Sequence, residues 1–166
     1  MNGVSLFFAG DFCSKPSTSN IVVEKELKEL VCKSDVSVVN FEVPLRPHDI
    51  SNFPRVGYER FFQNDDSPEF LKIMGFDLFS VANNHLFDWG EDGYKKTKNK
   101  FGDAAFGAGN YDEAYSVKIV EVKGFRIGFF AITYASRHGV FSDFYKKDGF
   151  GCAYLEDVRV NHIIQE

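Results

Sequence analysis

The sequence predicts an α/β fold built on a mostly parallel sheet. Short apolar runs alternate with helical periodicity as far as residue 107. Polar clusters close successive apolar runs, and open α/β sheets gather ligands at the carboxyl ends of strands. An apolar pair flanking Lys123-Gly124 then adds an antiparallel hairpin.

The first run, Val4-Ser5-Leu6-Phe7-Phe8-Ala9, reads as a buried parallel strand ended by Gly10-Asp11. Val23, Leu27, Leu30 and Val31 recur at i, i+4, i+7 and i+8 among Glu and Lys, which predicts an amphipathic helix. The β-branched run Val36-Ser37-Val38-Val39-Asn40-Phe41 is a second strand. Residues 44–66 are irregular, with Pro44, Pro47 and Pro54, and are expected to form a long loop with a short strand at 60–63. Ser67-Pro68-Glu69 predicts a helix start with Ser67 as N-cap and Pro68 at N1, and Gly75 a stop. Residues 77–82 are a third strand. Asp88 and Glu91 have capping-box spacing for a helix over 91–100. Residues 104–107 are a short fourth strand, and 117–122 with 126–133 form the hairpin. A last helix is expected to begin near Asp157.

The chain has 166 residues, and the apolar fraction of 44% suits an ordinary globular domain. A net charge of −5 argues against nucleic acid as a partner. Cys13, Cys32 and Cys152 are widely spaced with no CxxC, which excludes a Cys-rich zinc site and fits a reducing compartment. Each reads as a small buried apolar residue. The start, MNGVSLFFAGDF, reads as a strand and not a signal peptide, and no run is long enough to insert in a membrane. A cytoplasmic location is therefore expected.

Three strand ends carry the chemistry: Gly10-Asp11, Asn40-Phe41-Glu42, and Asn83-Asn84-His85-Leu86-Phe87-Asp88. If the strands are neighbours, Asp11, Glu42, Asn84 and His85 converge. Such donors suit a hard or borderline divalent cation such as Mn, Fe, Zn or Mg. Taken singly, each residue has a plain alternative: Asp11 and Asn83-Asn84 as turn formers, Glu42 as a loop carboxylate, Asp88 as a helix N-cap. Gly107 and Gly109 read as a plain turn, because no Lys-Ser/Thr follows. Arg46, His48, Arg55, Tyr58 and Arg60 form a set able to touch an anionic polymer, although a solvated loop is the simpler reading.

These motifs resemble the CapA-type bacterial capsule (poly-γ-glutamate) synthesis family. The resemblance rests on Gly10-Asp11, on Val39-Asn40-Phe41-Glu42-Val43-Pro44-Leu45 and on Val81-Ala82-Asn83-Asn84-His85-Leu86-Phe87-Asp88-Trp89-Gly90. Gly107-Ala108-Gly109-Asn110 and Phe125-Arg126-Ile127-Gly128 fit the same pattern. The resemblance implies a calcineurin-like metallophosphoesterase sandwich of α-β-β-α layers, here one domain over 1–166 and incomplete at its C-terminus. It implies Asp11 as a first-motif ligand of a divalent metal, Glu42 at the place of a bridging carboxylate, and Asn84 as a ligand of a second metal. It implies His85 as the residue that protonates a leaving group or steadies a phosphoryl, oriented by Asp88. The implied substrate is an anionic polymer or a phosphorylated small molecule. The alternative is a non-catalytic subunit of a capsule synthesis or export complex, possible as a homo-oligomer. Two departures stand out. Cys13 replaces the His expected two residues after the first Asp, and the later His motifs of the phosphatases are absent. His138 and His162 lie in no matching motif.

Overall fold

The computed structural model describes residues 3–51, 60–134 and 149–155. Residues 135–148, the helix expected near Asp157, and Arg55, Tyr58, His138 and His162 lie outside the described residues.

Four parallel strands form the central sheet in the order β1-β2-β3-β4. They are β1 (Leu6–Phe12), β2 (Val36–Phe41), β3 (Leu78–Ser80) and β4 (Ala105–Phe106). Helices α1 (Lys25–Lys33), α2 (Ser67–Met74) and α3 (Gly90–Phe101) are the crossovers. Side chains alternate across the sheet. Val39, Phe41, Phe79 and Ala105 point to one face, where Leu71 of α2 and Tyr94 and Phe101 of α3 complete the main core. Phe101 stacks on Phe79 at 4.0 Å and meets Phe41 edge-on at 4.8 Å. Val36, Val38, Leu78 and Phe106 point to the other face, against Val120, Val122, Ile127 and Phe129. Those four residues belong to the hairpin of β6 (Lys118–Val122) and β7 (Phe125–Phe129), which forms a second β layer. The hairpin turns on Lys123 and Gly124, both at positive φ, as a two-residue turn of primed type requires. A third small sheet pairs β5 (Ala108–Gly109) with β8 (Gly151–Cys152), next to the short helix α4 (Tyr111–Ala114). The α/β class and the parallel sheet are as expected. The Gly107 region is not a plain turn. Gly107 sits at φ +92°, where a Cβ would come within 2.8 Å of Ala82 and Ala131, and Ala108 enters β5.

Several local expectations shift. β1 is not buried: among the described residues it is an edge strand of the sheet, and Leu6 and Phe8 are 40% and 62% exposed. It also continues through Gly10 and Asp11 to Phe12. On α1 only Val31 is buried, while Leu27 and Leu30 are exposed, so periodicity found the helix but not the cover for its stripe. Cys152 is buried, and burial pushes its thiol up to about 12, whereas Cys13 and Cys32 are exposed. The strand expected at 60–63 is a single bridge, Leu45 to Gln63. Ser67 is the first residue of α2 rather than its cap. The Asp66 carboxylate accepts from the Ser17 hydroxyl and the Thr18 N–H instead of capping its own helix. Helix α2 does stop at Gly75, which is left-handed at φ +97°.

The position of Asp11 depends on an irregularity in β1. Phe8 pairs with Val38 and Asp11 with Asn40, so Ala9 and Gly10 oppose Val39 alone. This bulge places Asp11 on the Val38–Asn40 face, and Phe12 on the core face beside Phe70.

Asp35 ties the second layer to the first. Its carboxylate accepts from the Ser5 N–H at 2.8 Å and pairs with Lys123 of the hairpin turn at 2.7 Å. The Lys123 bond, then the Ser5 bond, hold its pKa down to about 2. An acid depressed in the folded state contributes stability above its unfolded value of about 3.9 and loses it as pH falls. Thermal melts between pH 5 and 2 should therefore fall less steeply for Asp35→Asn than for the parent chain.

Candidate functional site

The carboxyl ends of β1, β2 and β3 lie side by side. Asn40 and Glu42 are two residues apart and share one face, and the bulge brings Asp11 onto it. Asn40 Nδ2 donates to Asp11 Oδ1 and to Glu42 Oε2, each at 2.7 Å. Asn40 Oδ1 is buried and has no hydrogen-bond partner among the described residues. Burial pushes the Glu42 carboxyl up and the Asp11 charge adds to it, against the Asn40 hydrogen bond and the neighbouring His85. Cys13 stands on the rim. Partial burial raises its thiol pKa, Glu42 raises it further, and Lys15 opposes both.

The loop after β3 is fastened to the end of β2. Buried Asn83 donates from Nδ2 to the Phe41 carbonyl at 2.9 Å, and its Oδ1 accepts the His85 N–H at 3.0 Å. His85 Nδ1 lies 3.0 Å from Asp88 Oδ2. An ionised carboxylate only accepts, so Nδ1 carries the proton in this pair and Nε2 is left for other chemistry. The expected cap at Asp88 is a correction. Helix α3 starts at Gly90 after Trp89, without a side-chain cap, because the Asp88 carboxylate is turned to His85 and to the Phe61 N–H.

Asp11, Glu42 and His85 are thus neighbours, with Asp88 behind His85. Asn84 is half-buried in the same turn, but among the described residues it makes no hydrogen bond to the cluster. Sequence reading passed over Asn40 as a site residue, although its place two residues before Glu42 put it on the same face. It also passed over Gln63. That side chain is 1% exposed, accepts the Ser14 N–H at 2.7 Å and donates to the Phe12 carbonyl, while its own N–H bonds the Pro44 carbonyl. Gln63 therefore joins the ends of β1 and β2, and only a buried polar residue within a loop hinted at it.

Among the described residues no group of three His, Cys, Asp or Glu side chains is placed to hold a metal ion. The donor chemistry still fits one hard cation. Two carboxylates converge on a single amide group, burial and the Asp11 charge push the Glu42 carboxyl up, and a buried amide oxygen is orphaned beside them.

An α/β sandwich with carboxylates and a His–Asp pair at adjoining strand ends defines the class. Residues 5–159 match the bacterial capsule synthesis protein family PGA_cap, and the chain belongs to that family. No curated protein matches it. No described helix is long and apolar enough to cross a membrane.

Proposed function

We propose that this capsule synthesis protein acts by metal-dependent hydrolysis or transfer at a phosphoryl or acyl-phosphate group. The observation that carries the reading is the Asp11–Asn40–Glu42 bridge set beside the His85–Asp88 pair. Asp11 and Glu42, with Asn84 or the Asn40 amide oxygen, would hold a divalent ion such as Mn, Fe, Zn or Mg. When bound, such an ion polarises a phosphoryl oxygen and makes water a stronger acid. The chain supplies the rest. His85 moves a proton at Nε2, Asp88 fixes the tautomer, and Asn83 holds the loop against β2.

An open cleft of about 410 Å³, which none of Asp11, Glu42, Asn84 or His85 lines, presents Arg46, His48 and Lys96 beside Phe62 and Asp65. Lys96 donates to Asp65 at 2.7 Å and to the Arg46 carbonyl at 2.9 Å. Arg46 lies 5.6 Å from the ring centres of both Phe62 and Trp89. The test is metal content by mass spectrometry after incubation with Mn²⁺, together with hydrolysis of p-nitrophenyl phosphate. The parent chain should hold the ion and turn over, and Glu42→Gln should lose both. A folded chain with neither ion nor turnover would sink the proposal.

The exposed apolar residues Leu6 and Phe8 on edge strand β1 favour a second reading. In it the chain is a non-catalytic subunit whose edge is covered by a second copy or by another subunit of a capsule complex. The same assay separates the two readings, since this one predicts neither ion nor turnover in a well-folded chain.

A further inference from the structure

Phe61 is an aromatic residue left 40% exposed, yet its backbone is fastened at both ends. Its N–H donates to Asp88 Oδ2 at 3.2 Å, and its carbonyl accepts Trp89 Nε1–H at 2.9 Å. The preceding Arg60 donates from Nη1 to the Asp88 carbonyl at 2.8 Å, with its guanidinium 5.5 Å from the Trp89 ring centre. Residues 60–62 therefore form a strap bound to the Asp88–Trp89 turn. The strap presents the Phe61 ring to His85, centre to centre 5.0 Å and nearly perpendicular at 71°. The oxygen that takes the Phe61 N–H is the one that pairs with His85 Nδ1. The imidazole is thus held through its ring plane and through its carboxylate partner, and both holds come from one residue.

We propose that Phe61 is a positioning residue for His85. Its ring blocks rotation of the imidazole, and its N–H aims Asp88 Oδ2 at Nδ1. This rests on the reading of His85 as the proton-transferring group, but the orientation itself is measurable without turnover. A group held within a few tenths of an ångström by its neighbours is what proton transfer needs.

The experiment uses the full chain with ¹⁵N-labelled histidine at one fixed pH, His85 being assigned by the signals lost in His85→Gln. In the parent chain the two ring nitrogens of His85 should differ widely in shift, and a hydrogen-bonded Nδ1–H should be visible. Phe61→Ala should bring the two shifts together and remove that proton signal, while Phe61→Tyr should keep both. Trp89→Phe removes one tie of the strap and should give an intermediate pattern; it also decides the matter should Phe61→Ala not fold. In turnover, Phe61→Ala should lower kcat about 10-fold with KM unchanged, the scale of losing a supporting partner. Unchanged His85 signals in Phe61→Ala and Trp89→Phe, with Asp88→Asn abolishing them, would overturn the proposal. Equal loss in the Ala and Tyr variants would overturn it too. A chain with no hydrolysis but with the expected His85 signals would fail the catalytic reading and still support the strap.

Discussion

His85→Ala should lower the turnover of a phosphate ester by about 10²–10⁴-fold, the usual worth of a positioned acid or base. The thermal stabilisation given by Mn²⁺ should stay at the parent value, because Asp11 and Glu42 do not depend on the imidazole for their placement. They are held by the β1–β2 register and by Asn40. Steady-state rates and thermal melts with and without the ion measure both. Asp88→Asn should lose less, roughly 10–100-fold, because it disturbs orientation and leaves the proton carrier in place. Parent-level turnover in His85→Ala would remove the His–Asp pair from the chemistry.

Phe41→Ala should cost about 3–5 kcal/mol, as large aromatic truncations in cores do. The side chain is fully buried, meets Phe101 edge-on, and belongs to the cluster that joins β2, β3, α2 and α3. Small domains have only about 5–15 kcal/mol in hand, so the melting temperature should drop by roughly 2–4 °C for each kcal/mol lost. The same residue offers its carbonyl to Asn83, so a shift of β2 also loosens the His85 loop. Phe8→Ala is the control. Its ring is 62% exposed on the edge strand, and its loss should stay within about 0.5 kcal/mol. Equal destabilisation by the two substitutions would contradict the assignment of the core to the helix-bearing face.

The sheet was legible because its strands are short apolar runs with polar ends, and β2, β3 and β4 fall within the expected ranges. The hairpin was legible from Lys123-Gly124. What misled was cover. An apolar run such as 4–9 looks the same whether a neighbour strand protects it or not, and the stripe on α1 likewise says nothing of what lies above Leu27 and Leu30. Caps were misread where a carboxylate found a better partner across the chain. Asp88 took His85 and Phe61; at α2 the expected cap Ser67 became the first helical residue, and Asp66 before it took Ser17 and Thr18. Those partners lie up to 49 residues away, beyond any local pattern. The meeting of the three polar strand ends followed from parallel order, since β1, β2 and β3 are neighbours in the sheet. Asn40, Gln63 and Phe61 were hidden because their roles depend on register and on a loop closing back, and periodicity records neither.

The bulge in β1 gives Asp11 a phase as well as a place. Gly10 is the surplus residue, and its surroundings leave open space where a Cβ would stand. A strand one residue shorter here would pair Asp11 with Asn40 in regular alternation and keep the carboxylate on the same face. One residue longer, without a wider bulge, would turn it toward the helices. The site is therefore sensitive to added length at this point of β1. Among related chains, insertions between Phe8 and Asp11 should be accompanied by loss of the acid.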